Sequence, residues 1–321
     1  MEASRSLTPR RMMRTFVMAL ALIPVVVGLV SAQATGADWS AAEQALGRRG
    51  AAQPGGVMRF GFPRTDLRVT AAGVDIRPAF ALGSWAAFVD VGGGHVLVMG
   101  DLVLTEDEVN PVLRRLQEGG VEQTALHNHL LNESPRIMYL HIHGHGERAS
   151  VARTIRGALA LTKTPLDTAS APAPSAAAPP FDLDTAQIAN ALGHRGRING
   201  GVYQVNVPRA ETIREAGLDE PSRTRVVPPA MGLGTVINFQ PTGGGKAAIT
   251  GDFVMIAAEV NPVIRALREN GIEVTALHSH LLTESPRLFF MHFWANDDAV
   301  RLARGLRLAL DRTNSQRGAN R

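Results

Sequence analysis

The sequence predicts an α+β protein of two tandem homologous domains, each a mainly antiparallel sheet with helices packed on one face. Three observations carry that reading. A long segment is written twice at a fixed offset of 151 residues. Within each copy, strand-like and helix-like periodicities alternate with glycine-rich turns. Between the copies lies a stretch rich in alanine and proline, Thr164 to Pro180, with a single charge.

The N-terminus stands apart from the fold. Arg5, Arg10, Arg11 and Arg14 precede an apolar run from Phe16 to Val30, followed by Ala32-Gln33-Ala34. Basic, apolar and small-x-small segments in that order read as a secretory signal peptide over residues 1–34. The apolar run is too short for a membrane anchor and contains Pro24, so no stable span is expected after cleavage. Arg10-Arg11 also admits twin-arginine export. The expected location is periplasmic or secreted.

Composition narrows the function classes. The chain has no cysteine, which excludes disulfides, thiolate metal sites and lipid attachment through a lipobox. Removing residues 1–34 takes away four arginines and one glutamate, leaving a net charge of about +1. A nearly neutral surface argues against a nucleic-acid partner. The expected partner is instead a small-molecule or envelope ligand.

The elements of the first domain, residues 38–163, follow in order. A short helix ends near Gly47. Strands are expected at Gly56–Phe62, Trp85–Val91 and His95–Val103, the last two joined by Gly92-Gly93-Gly94. A helix follows with Asn110 as N-cap and Pro111 in its first position. Its stripe Val112, Leu113, Leu116 is stopped by Gly119-Gly120. Strands at Val121–Leu131 and Arg136–His143 and a helix through Val151, Ile155 and Leu159 complete the unit. After the tether at 164–181, which has little to bury, residues 182–313 repeat the pattern. Gly100-Asp101 matches Gly251-Asp252, and Glu108-Val109-Asn110-Pro111-Val112 matches Glu259-Val260-Asn261-Pro262-Val263.

The chemistry lies in the most faithful part of the repeat. Ala125 to His141 reads ALHNHLLNESPRIMYLH, and Ala276 to His292 reads ALHSHLLTESPRLFFMH. Of ten histidines, eight fall in these segments or in the tail of the first, His143 and His145. On a strand, His127 and His129 share a face opposite Leu126 and Leu130. Tyr139, His141 and His143 share a face opposite Met138, Leu140 and Ile142. A hairpin centred on Ser134 would set position 127 across from 141, within reach of one metal. The expected ligands are His127, His129 and His141 in the first domain and His278, His280 and His292 in the second. Glu133 and Glu284 are candidate general bases or oxygen ligands. Zinc or another divalent transition metal suits such a donor set, and an open position would support hydrolysis. The competing reading is a metal-free envelope-associated binding or structural module with an exposed histidine face.

Other signals are weaker. Thr242-Gly243-Gly244-Gly245-Lys246 lacks the spacing of a phosphate loop and reads as a turn. Ser134 and Ser285 precede prolines without a nucleophile elbow. Asp101 and Asp252 are candidate outer partners. Arg136 and Arg287 either bind an anion or pair with Glu133 and Glu284.

On Gly-Asp, Glu-Val-Asn-Pro-Val, Thr-Ala-Leu-His-x-His-Leu-Leu-x-Glu-Ser-Pro-Arg and the following histidine strand, the chain resembles the LppY/LpqO-type family, a bacterial domain of unknown function. The resemblance covers both repeats and implies an extracytoplasmic protein without an established activity. This chain lacks the lipobox cysteine of the namesakes. The His-x-His-x3-Glu spacing also matches the first cupin motif, but the closely following third histidine and the preceding helix do not.

Overall fold

A computed structural model describes residues 1, 37–166, 181–216 and 224–318. The leader over 2–34 and most of the 164–181 tether lie outside the described residues.

The first repeat runs α1 (Ser40–Leu46), β1 (Ala51–Gln53), β2 (Val57–Pro63), β3 (Val69–Ala71), β4 (Val74–Ile76), β5 (Gly83–Gly92), β6 (His95–Thr105), α2 (Glu106–Glu118), β7 (Glu122–His127), β8 (Glu133–Ser134), β9 (Ile137–Glu147) and α3 (Arg148–Leu159). The second runs α4 (Thr185–Leu192), β10 (Arg197–Asn199), β11 (Val202–Pro208), β12 (Arg214–Ala216), β13 (Thr224–Val226), β14 (Gly234–Gly243), β15 (Lys246–Met255), α5 (Ala257–Glu269), β16 (Glu273–His278), β17 (Glu284–Ser285), β18 (Phe289–Asp298) and α6 (Ala299–Leu310). Among the described residues each repeat forms a six-stranded antiparallel sheet, β1-β2-β5-β6-β9-β7 and β10-β11-β14-β15-β18-β16, and a small three-stranded sheet.

Alternation along the strands explains the layering. On β6, Val96, Val98, Leu102 and Leu104 pack with Val112, Leu116 and Ile155 of the helices. The intervening Leu97 and Met99 point the other way and pack with Val254, Leu288 and Phe290 of the second repeat. Each sheet therefore carries helices on one face and meets the other repeat on its opposite face. The glycine turns at 92–94 and 243–245 have φ between 63° and 100°, the left-handed region where only glycine is unstrained.

Two local expectations are corrected. The helix expected with Asn110 as N-cap has its N-cap five residues earlier, at Thr105, and Pro111 lies inside it. Glu108 decides that start: its carboxylate accepts from the Thr105 N–H at 2.9 Å, the reciprocal half of a capping box. It also pairs at 2.7 Å with Arg64, whose side chain is fully buried, and accepts from the Lys163 N–H. Glu259 repeats the arrangement with Arg209, Ile256 and Asn314. The recurring Glu-Val-Asn-Pro-Val motif is thus explained by a buried ion pair that fixes the helix start.

The second correction is the histidine hairpin. Ala125 pairs with His141 and His127 with Tyr139, a two-residue slip from the expected register. The strand ends at His127, and the intervening chain is used by β8, which pairs with β3 rather than turning back. Because strand periodicity is two, the slip keeps the residues of β7 on their expected faces, but Leu130, beyond the strand end, packs with Ile137 and Tyr139 rather than on the helix side.

Candidate metal centre

The inner faces of β6, β7 and β9 carry Asp101, His127 and His141, and those of β15, β16 and β18 carry Asp252, His278 and His292. His129 and His280 lie two residues beyond the ends of β7 and β16. The sequence reading separates these residues into one site per repeat. The structure instead gathers all six histidines into one buried cluster, where neither repeat's triad stands alone.

The cluster has approximate two-fold symmetry. The His127 and His278 rings stack at 3.9 Å, 16° from parallel. His129 lies 3.8 Å from His292, and His280 lies 3.8 Å from His141, centroid to centroid. Each His-x-His pair therefore meets the strand histidine of the other repeat. Two Nε2–Nε2 distances are 3.1 Å, His127–His292 and His278–His280. Asp101 approaches His129 Nε2 at 3.4 Å, and Asp252 approaches His280 Nε2 at 3.0 Å.

Backbone contacts aim these rings. The Nδ1 atoms of His141, His292 and His280 stand 3.2, 2.6 and 3.1 Å from the carbonyls of Gly100, Gly251 and Gly232. A carbonyl can only accept, so Nδ1 carries the proton and Nε2 is left with its lone pair toward the cluster. Gly100 and Gly251 are required by crowding: a Cβ would stand 2.5 Å from the Trp85 oxygen or 1.9 Å from the Val236 oxygen. The repeated Gly-Asp pair thus supplies a carbonyl seat for one histidine and a carboxylate for another.

The repeats are also clasped reciprocally. A bulge after Gln123, and another after Val274, breaks the pairing of β7 and β16 with their neighbours and re-aims the threonine within it. The Thr124 hydroxyl donates to the His280 carbonyl at 2.7 Å, and the Thr275 hydroxyl donates to the His129 carbonyl at 2.6 Å. These threonines hold the other repeat's His-x-His segment. The threonine of the Thr-Ala-Leu-His motif was the available sequence signal, but its target is 156 residues away.

Burial dominates the electrostatics. It lowers His141 and His280 to about 3, and it depresses His127, His129 and His278 strongly, with neighbouring imidazoles adding to the effect. Burial raises Asp252 to about 7. Several buried atoms have no hydrogen-bond partner, among them His141 Nε2, Asp101 Oδ1 and Asp252 Oδ1. Neutral imidazoles and orphaned carboxylate oxygens facing one another are what a cation would satisfy. Among the described residues of this cluster, three groups have ligand atoms mutually within 4.8 Å: His127/His141/His278, His127/His129/His292 and Asp252/His278/His280.

Acidification should reveal these shifts in the metal-free protein. Between about pH 6.5 and 3 the unfolded chain protonates histidines that the folded protein keeps neutral, so stability falls as pH falls. Asp252 and Glu133, both held up near 7, oppose this by binding protons in the folded state. Five depressed histidines outweigh two raised carboxyls. Denaturant midpoints at pH 7.5 and 5 should therefore differ, with the lower value at pH 5; equal midpoints would contradict the burial argument.

Glu133 and Glu284 fall in none of the groups able to share an ion among the described residues. Glu133 accepts from the Ile137 N–H at 3.0 Å, leaving its Oε2 buried without a partner. Burial raises its carboxyl to about 7. Glu284 accepts from the Leu288 N–H and pairs with Arg287 at 3.2 Å. Arg136 pairs with exposed Glu106 at 3.9 Å rather than with Glu133. The Ser134-Pro135 and Ser285-Pro286 bonds are cis. Among the described residues, no helix is long and apolar enough to cross a membrane.

The model of the family described as Domain of Unknown Function (DUF1259) matches residues 40–161 and again residues 186–312. No curated protein matches the chain. Among solved structures, the crystal structure of a trimeric bacterial microcompartment shell protein, PduB, aligns at 15% identity over 82% of this chain and 90% of that one. Its TM-score of 0.20 is too low to carry any argument about fold or function.

Proposed function

We propose that this chain, which belongs through both of its repeats to the family described as Domain of Unknown Function (DUF1259), binds divalent transition-metal ions at a centre that neither repeat forms alone. Two crossed subsites account for the geometry. One takes His127 and His129 with His292 of the other repeat, beside Asp101. Its counterpart takes His278 and His280 with His141, beside Asp252. The observation that carries this reading is the convergence of Nε2 atoms, those of His141, His280 and His292 being aimed by carbonyl contacts at their Nδ1 atoms. Two nitrogens each bonded to one ion at about 2.0–2.1 Å stand roughly 2.9–3.4 Å apart, and the pairs here stand at 3.1 Å.

Zinc is the first ion to test, since a nitrogen-rich set with one carboxylate suits it. A hydrolytic role is the second reading, and Glu133 favours it. A carboxyl near 7 with one free oxygen has the proton affinity of a general base at neutral pH. The leader-like residues 1–34 support an extracytoplasmic location, and the shared motifs support the finer LppY/LpqO-type assignment.

Elemental analysis of the purified full chain tests the centre. In wild type the central cluster should carry about two equivalents of one metal, and the His127→Ala/His278→Ala double variant should lose both. A folded wild type that takes up no metal after chelation and resupply would leave the histidines as a metal-free packing surface between repeats.

A further inference from the structure

We propose that His143, His145 and Glu215 form a second metal site, distinct from the six-histidine centre and present in only one half of the molecule. β9 runs on beyond His141, and alternation places His143 and His145 on its inner face. β12 of the other repeat brings Glu215 over them. His143 Nε2 lies 3.1 Å from one Glu215 oxygen and His145 Nε2 lies 2.8 Å from the other. The three ligand atoms lie mutually within 4.8 Å. Two imidazoles and one carboxylate are a three-ligand zinc or iron set that leaves a position open.

A further contact orients the first ligand. Glu122, paired with His143 across β7 and β9, places its Oε2 3.5 Å from His143 Nδ1. A carboxylate on the far nitrogen favours the tautomer whose Nε2 is free to ligate, the arrangement common behind metal-bound histidines. With Nδ1 protonated, Nε2 and the Glu215 oxygen are both acceptors at hydrogen-bond distance. A cation or a proton between them reconciles the two acceptors.

The other half of the molecule shows that the fold does not need this polar cluster. At the positions equivalent to His143 and His145 stand Trp294 and Asn296. The equivalent of Glu215 is Ala71, since Glu215 pairs with Glu284 as Ala71 pairs with Glu133. Trp294 and Ala71 belong to one apolar cluster. The same architectural position is thus filled by apolar packing in one half and, in the other, by a carboxylate 2% exposed and a histidine 5% exposed. Burying such a group without compensation is unfavourable, and an apolar replacement is usually no less stable. A bound cation supplies the compensation.

The apolar half also supplies the test. The triple substitution His143→Trp/His145→Asn/Glu215→Ala copies its residues. The substituted chain is compared with wild type by cobalt(II) and zinc titration of chelator-stripped full-length protein. The variant should fold and bind one equivalent fewer than wild type. The same one-equivalent loss should appear in a Glu215→Gln variant, which guards against misfolding of the triple substitution. In the His127→Ala/His278→Ala background, one equivalent should remain and disappear on adding Glu215→Gln. That background separates this site from the central one, whose failure alone would leave the single equivalent in wild type. Unchanged metal counts in both Glu215 variants would overturn the proposal and identify the cluster as an imidazolium–carboxylate clamp.

Discussion

Replacing His129 and His292 together is expected to remove about one of the two ions of the central cluster, whereas replacing His129 and His141 together should remove both. The difference follows from the crossing of the ligands. His129 lies 3.8 Å from His292, and His141 lies 3.8 Å from His280. The first pair of substitutions damages one subsite twice, the second damages each subsite once. If each repeat instead held its own ion, the pattern would reverse: His129/His141 would cost one ion and His129/His292 two. Metal counts on the two double variants, normalised to folded protein, decide between these arrangements. The background metal of the His143/His145/Glu215 cluster is identical in both variants and cancels from the comparison.

Substituting Glu108 by alanine should cost about 3–5 kcal/mol, because the Arg64 guanidinium is left buried without its partner. Arg64 is fully buried and donates to both Glu108 oxygens, at 2.7 and 3.1 Å, while Asp66 takes the remaining face at 2.9 Å. Asp66 softens the loss without replacing the contact with the helix start. Glu106, two residues away, is the control. It lies on the surface 3.9 Å from Arg136, both side chains being mostly exposed, and its replacement should change stability by less than about 0.5 kcal/mol. Urea unfolding of the two variants would show the contrast. A Glu108 effect as small as that of Glu106 would refute the role assigned to the Glu-Val-Asn-Pro-Val motif.

Much of the fold was legible because it is locally encoded. The glycine turns at 92–94 and 243–245 require φ values that only glycine adopts freely. The alternation along β6 and β9 separates a helix-facing from an inward face without reference to any other element. Asparagine before proline at Asn110 is a strong local signal, but the helix starts where Glu108 caps Thr105, and that carboxylate is in turn held by Arg64 from 44 residues earlier. The hairpin register was misread for a related reason. Strand β8 is captured by β3, a non-local pairing that removes the turn residues from any simple hairpin.

The sequence by itself determined the duplication, the identity of the six histidines and the face of those that lie on strands, because these depend on residue type and a period of two. Only the tertiary structure decided which histidines meet. Ligand sets depend on how two sheets are placed face to face, and that placement comes from apolar side chains such as Leu97, Met99 and Val254, more than twenty residues from any of the six histidines. The same packing brings Glu215 to His143 and His145, although no spacing relates them. A periodicity fixes the direction of a side chain relative to its own strand, whereas distances between strands of different repeats are set by the burial of surface between them.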